Sequence, residues 1–277
     1  MKHKGQKIQS FICHFYLIIL TIIAIFPLVW IILSSIKGKG ELTGNPTGFL
    51  PKTFTLEYFR HVIFDLGFIN NIKNSAGIAL VTTLIAIIVA ALAAYGIVRF
   101  FPEFGSVMSK VLVTTYIFPP ILLAIPYSIV MAKVGLVNTR IGLIIVYLSF
   151  SIPYAVWLLV GFFKSVPIGI EEAARIDGAN KIKVFGTVVL PLVAPGIVAT
   201  AIYTFINAWN EFLYSLILIN DTSKMTVGVA LRSLNGSEIL DWGDMMAASV
   251  IVVIPSIIFF CFIQNKIAGG LTEGSVK

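Results

Sequence analysis

Charge is what this chain has least of. Asp, Glu, Lys and Arg make up 12% of its 277 residues and hydrophobic residues 58%, and mean hydropathy is +0.96. A soluble domain carries about 25% charged residues, so an ordinary water-soluble globule is excluded. Cysteine is nearly absent. Cys13 and Cys261 both lie in apolar runs without CxxC or CxxH spacing, which excludes a disulfide framework and predicts two buried, inert thiols. His3, His14 and His61 are scattered, so no metal site is expected. There is no GxxxxGK[ST], no GxSxG and no pair of carboxylates inside the apolar runs. The chain therefore has no phosphate cradle or hydrolytic nucleophile of its own, and any uphill work it does must draw energy from elsewhere.

What the sequence has in abundance is apolar length. A bilayer core about 30 Å thick needs roughly 20 apolar residues per helical crossing. Six runs qualify: Phe11–Ile36, Ser75–Val98, Val111–Met131, Ile141–Phe163, Leu192–Ile219 and Met246–Ile263. Glu211 is the one acidic or basic residue inside them. The first run follows the basic start MKHKGQK, but it is too long for a signal peptide and lacks a small-residue cleavage site, so it reads as a retained helix. The fold class is thus all-α, a polytopic membrane protein of six helices. With no repeat, linker or low-complexity tract, residues 1–277 read as one transmembrane domain. Lys and Arg divide almost evenly between the two sides, and the cations of the 164–191 segment favour the cytoplasm for it, which also puts both termini there.

That segment, SVPIGIEEAARIDGANKIKVFGTVVLPLVAPG from Ser165, is conspicuously polar for this chain. Pro167 suits a helix start, Glu171 precedes Arg175 by four residues in the favourable order, and Gly178 can take the left-handed conformation that ends a helix. Asn180 can cap a second helix from Lys181, with Ile182, Phe185 and Val189 on one side and a stop at Pro191. Two short helices about a glycine corner would project a knob from the membrane surface. Ala173 and Ala174 keep one face low, so another protein's backbone can approach. The competing reading is a solvated loop whose charges merely keep it out of the membrane.

Glu172, Ala173 and Ala174, then Gly178 after three residues and Val188, Val189, Leu190 and Pro191 after nine more, resemble the EAA motif of binding-protein-dependent ABC importer permeases. Val188 stands where that pattern usually has Ile. The surrounding EEAARIDGA, the sequence Trp209–Asn210–Glu211, the DWG at Asp241–Gly243 and the closing GLTEGSVK are similar to the carbohydrate branch of the family. The resemblance spans nearly the whole chain. It implies a type I importer permease fold in a bacterial or archaeal cell membrane, forming half of a pathway for a sugar or oligosaccharide. The implied partners are a second permease, an ATPase dimer at the cytoplasmic face and an extracytoplasmic solute-binding protein, with no nucleic acid. This chain would be no enzyme and would bind no cofactor, the ATP and Mg being used by the ATPase. Glu171, Glu172, Ala173, Ala174, Arg175, Asp177 and Gly178 would form the helix that couples to it.

Polar groups in lipid are costly and tend to face protein or water. Ser149, Ser151, Tyr154 and Trp157 in the fourth run, and Tyr203, Asn207, Asn210 and Glu211 in the fifth, are the candidate substrate path. Asn207, Asn210 and Glu211 stand at i, i+3 and i+4, on one helix face. A neutral sugar offers hydroxyl edges and C–H faces, which amide, carboxylate and aromatic groups suit. Glu211 could instead pair with a neighbouring subunit or snorkel to the interface. Pro119, Pro120 and Pro126 predict a kink in the third run, either a gate or a plain structural bend. Ala86, Ala90 and Ala94 recur every fourth residue and allow close helix approach. The Lys37–Asn74 loop, where Thr55 can cap an interfacial helix, and the DTSKMTVGVALRSLNGSEILDWGD loop would face the binding protein. A secondary transporter and a membrane enzyme are the alternatives, but the chain has neither matching halves with ion sites nor a reactive cluster.

Overall fold

The structure is a computed structural model and describes residues 2–45, 47–234 and 241–273. The described residues contain no strand, only an isolated bridge between Lys37 and Phe54. In chain order the α-helices are α1 (Lys2–Ser35), α2 (Glu41–Gly44), α3 (Glu57–Arg60), α4 (Phe68–Arg99), α5 (Pro102–Ile117), α6 (Pro120–Lys133), α7 (Arg140–Ser165), α8 (Ile168–Ile176), α9 (Lys181–Lys183), α10 (Leu190–Asn210), α11 (Leu213–Leu218), α12 (Val227–Leu234) and α13 (Trp242–Glu273). Five helical stretches are long and apolar enough to cross a membrane: Gln9–Ser35, Phe68–Arg99, Arg140–Ser165, Lys181–Asn210 and Trp242–Phe262. Val107–Ile117 and Pro120–Lys133 reach the same apolar length only as a pair, bent by 90° at the break between them, which is the form of a broken span or of a re-entrant loop. The end of the GLTEGSVK stretch, 274–277, and residues 235–240 of the loop before α13 lie outside the described residues.

Three expectations need correction. The fifth run was expected to span Leu192–Ile219, with a separate short helix stopping at Pro191. Instead the helix entered at Lys181 continues through a π-helical turn, Val184–Val189, into α10 and ends at Asn210. Pro191 offers no N–H to the turn before it, and the widened turn is where the helix absorbs that loss. Ile182, Phe185 and Val189 are not buried together: Val189 is buried, Phe185 packs partly on the cluster and Ile182 is 82% exposed. Cys13 and Cys261 are free thiols, but exposed ones, because their helices turn apolar side chains outward as a membrane span does.

Contacts gather the chain into two units, Met1–Ile69 with Leu231–Ile254, and Asn70–Ala230 with Pro255–Lys277. In the first unit, α1 leaves nearly all its apolar side chains uncovered. Lys37 is fully buried, its ammonium donating to the Gly48 carbonyl and lying 5.2 Å from the Trp30 ring centroid, so carbonyl and π-face meet the charge. Leu56, not Thr55, is the N-cap of α3; Thr55 stands one residue earlier, its Oγ1 accepting from the Glu57 N–H at 3.1 Å. The DWG stretch has a packing reason: a Cβ on Gly243 would come within 2.2 Å of the Tyr58 ring, and Asp241 accepts from the Gly243 N–H at 2.8 Å.

In the second unit, Ala90, Ala94 and Tyr95 of α4 pack with Leu159 and Phe163 of α7, Val184 and Val189 of the π turn, and Val193 of α10. Ala86, Ala90 and Ala94 are each fully buried, as their spacing predicted. A Cβ on Gly196 would meet the Phe162 ring at 2.3 Å, so glycine is what lets α10 come down onto α7. At the other end of these helices, Asn71 and Asn74 donate to the carbonyl of Met225 at 3.0 and 3.1 Å, stitching the 220–226 turn to α4.

Candidate functional site

The knob begins where α7 stops at Ser165, since Pro167 bars the preceding residue from helix and starts α8 as its N-cap. Its corner is built at the other end. Gly178 has φ 86°, its N–H bonds the Arg175 carbonyl at 3.0 Å, and the Ala179 N–H bonds the Ala174 carbonyl at 3.0 Å. This pair of bonds is a Schellman C-cap, and its usual apolar contact is present, because Ala174 and Ala179 both pack on the buried cluster. Asn180 then caps the next helix, its Oδ1 accepting from the Lys183 N–H at 2.9 Å.

The two neighbouring glutamates face opposite ways. Glu171 is fully buried beneath α8. Its Oε1 lies 2.5 Å from Arg99 Nε, and Tyr95 donates its hydroxyl to Oε2 at 2.8 Å. Arg99 also donates from Nη2 to the Val166 carbonyl at 2.7 Å, and Arg175 Nη2 lies 3.7 Å from the same carboxylate. Two cations and a phenol thus answer one buried charge, which would otherwise be costly. Glu172, Ala173, Arg175, Asp177 and Gly178 are on the exposed side, and Ala174 is half-buried. On either side of the corner Ile176 is 86% exposed and Ile182 82% exposed. Arg99 and Tyr95 had not been singled out in the sequence. Arg99 was visible only as a charge just beyond the second apolar run, and its partner lies 72 residues away.

The candidate substrate path divides into separate groups. Tyr154 stacks on Tyr203 with centroids 4.2 Å apart, Trp157 lies 5.9 Å from Tyr154, and Tyr116, also not singled out, joins them with its hydroxyl 2.7 Å from that of Tyr203. Ser149 lies elsewhere, its Oγ 2.6 Å from the Tyr127 hydroxyl, and Ser151 is buried. Asn207 and Asn210 are exposed on α10. Asn207 donates to the Tyr203 carbonyl at 2.8 Å, and Asn210 Nδ2 reaches Ser256 Oγ at 3.5 Å. Glu211 does not continue their face. The backbone turns extended there, with ψ 128°, and the carboxylate accepts from the N–H groups of Tyr214 at 2.8 Å and Ser215 at 3.2 Å, capping α11. The run breaks at a charge because that charge satisfies the open end of the next helix.

The three prolines also have different roles. Phe118 and Pro119 are extended, ψ 129° and 122°, because each precedes a proline, and the span turns by 90° there. Pro126 sits inside α6 without ending it. Tyr214 donates to the Pro120 carbonyl at 2.9 Å, tying α11 to the start of α6. No group of His, Cys, Asp and Glu suited to a metal occurs among the described residues.

Comparison with known proteins bears on this arrangement. Residues 83–272 match the family model described as "Binding-protein-dependent transport system inner membrane component". The chain is 36% identical to the trehalose/maltose transport system permease protein MalG of Thermococcus litoralis, over 94% of each chain. It is 35% identical to the trehalose transport system permease protein SugB of Mycobacterium tuberculosis, over 92% of this chain and 93% of that one. In structure it is similar to a chain of a bacterial ABC transporter involved in the import of the acidic polysaccharide alginate, with a TM-score of 0.78 over 94% of this chain and 97% of that one, at 23% identity. That likeness shows the importer permease fold. The relatives are named as permeases, not enzymes, which sets aside the membrane-enzyme and secondary-transporter readings. The described spans and these matches together establish that the chain is a multi-pass membrane protein and belongs to the inner membrane components of binding-protein-dependent transport systems.

Proposed function

We propose that this chain forms one half of the translocation pathway of an ATP-driven importer for a sugar or oligosaccharide, and that α8 and the Gly178 corner couple it to a separate ATPase. Family membership makes the chain a permease subunit. The observation that carries the coupling reading is the two-sidedness of α8. Its rear is tied down by Glu171, while its front presents Glu172, Ala173 and Asp177 between two exposed isoleucines. Apolar side chains exposed amid charges on a knob away from the spans are covered by a protein partner, not by lipid. Closure of an ATPase dimer beneath the knob would move α8 as a rigid piece. Through Arg99 that motion reaches α4, and through the chain itself it reaches α7 and α10.

On this reading the knob and both termini are cytoplasmic, a second permease completes the pathway, and a solute-binding protein delivers the sugar outside. ATP and Mg are handled by the ATPase. The Tyr116, Tyr154, Trp157 and Tyr203 group supplies the aromatic faces that a sugar's C–H surfaces stack against, with Asn207 one turn beyond Tyr203. The test is to isolate the complex with its binding protein and measure ATP hydrolysis and uptake together. A trehalose- or maltose-type sugar, or another oligosaccharide, is expected to raise both, and only when the binding protein is present. Uptake that proceeds with no associated ATPase would overturn the proposal.

A further inference from the structure

We infer that a groove between the N-terminal ends of α4 and α7 is a binding site for one anionic glycerophospholipid. The groove, about 630 Å³, lies at the end of these helices remote from the Glu171 knob. Two exposed cations line it, Lys73 on α4 and Arg140 on α7, and neither has an ion-pair partner among the described residues. Asn70 adds an exposed amide beside them. The remainder of the wall includes Gly77 and Val81 of α4 and Ile144 of α7.

The order of these residues along the helices selects the ligand. On α4 the cation comes first, Gly77 follows one turn later and Val81 two turns later; on α7 Ile144 follows Arg140 by one turn. At 5.4 Å per turn the apolar surface begins about 5 Å deeper in the membrane than the charges and extends to about 11 Å. An anionic headgroup at the level of the cations would therefore lay its acyl chains along the wall. Gly77 has open space where a Cβ would point, so a chain can rest on bare backbone there. A sugar fits poorly, since no lining residue is aromatic or acidic. A free phosphate would satisfy the cations and leave the apolar wall bare. A phospholipid with a net negative head answers both halves.

The experiment uses the protein purified with its accompanying subunits and placed in nanodiscs of phosphatidylcholine containing one part in ten phosphatidylglycerol. The lipid that stays with the protein after re-extraction in detergent is then quantified by mass spectrometry. Each cation near an anionic lipid surface is worth about fivefold in affinity, so the ratio of phosphatidylglycerol to phosphatidylcholine in the retained lipid is expected to rise about tenfold or more over that of the nanodisc. Lys73→Gln with Arg140→Gln should abolish the enrichment, Lys73→Arg should keep it, and Gly77→Leu should lower retention of lipid of either kind. Excess glycerol 3-phosphate should displace nothing. Equal retention of the two lipids by the parent, no retained lipid because another subunit fills the groove, or displacement by glycerol 3-phosphate would each overturn the inference.

Discussion

The Glu171 carboxylate, fully buried under α8, is held by Arg99 Nε at 2.5 Å from the last turn of α4. The motif that marks this stretch in the sequence begins one residue later, at Glu172, and that residue points the other way. One glutamate fixes the knob to the membrane body, and its neighbour is free to meet a partner.

Breaking the buried pair from one side should be damaging. Glu171→Ala strands the Arg99 guanidinium, and Arg99→Met leaves the Glu171 carboxylate with only Tyr95 and the more distant Arg175, so each is expected to cost up to about 3–5 kcal/mol. The double change Glu171→Met with Arg99→Met should be milder than either alone in thermal unfolding of the purified protein, because no charge is stranded. A double variant as unstable as the sum of the two singles would show that the pair does not act as a unit.

Gly196→Ala tests the packing of α10 on α7. The added methyl would meet the Phe162 ring at 2.3 Å, an overpacking expected to cost about 1–3 kcal/mol. Phe162→Leu should relieve it in the double variant, and a Gly196→Ala protein with unchanged unfolding temperature would contradict the described contact.

How much of this was legible in the sequence depends on the range of the interaction. The spans, the Gly178 corner, the Asn180 cap and the buried Ala86, Ala90 and Ala94 stripe were legible because each is set by residues within a turn or two of one another. The Arg99–Glu171 bond was not, since nothing local says which of several interfacial cations folds back onto a carboxylate 72 residues on. The break at Glu211 was missed for a different reason. After Pro195 and Gly196 the run contains no further proline or glycine to mark a break, so only the hydrogen bonds to Tyr214 and Ser215 reveal that the charge caps a new helix.

Those bonds change what is expected of Glu211. Glu211→Gln keeps an acceptor for the cap but removes charge, while Glu211→Ala removes both and should lose about 1 kcal/mol of capping. Transport should fall further in Glu211→Ala than in Glu211→Gln, with assembly intact in each. Asn207→Ala and Tyr203→Ala should alter sugar uptake without altering stability. Normal uptake of every sugar by all four variants would remove these residues from the path.

Topology can be read with one cysteine. A thiol introduced at Lys181 should be shielded from an impermeant reagent in whole cells and labelled after lysis, against a background variant with Cys13 and Cys261 replaced by Ser. Labelling of intact cells would invert the orientation and with it the coupling proposal.

The central claim is that the knob couples the spans to an ATPase, and the corner at Gly178 tests it most directly. With φ 86°, a β-branched residue there is strained, and the chain would leave α8 at the wrong angle. Membrane insertion, ATPase copurification and solute uptake should be measured on the same preparations of Gly178→Val, Glu172→Lys and Val188→Ile. Insertion is expected to be normal in all three, with ATPase association or coupled uptake lost in the first two and unchanged in Val188→Ile. If Gly178→Val and Glu172→Lys both assemble and transport like the parent, the segment is a solvated loop and the account of coupling is wrong.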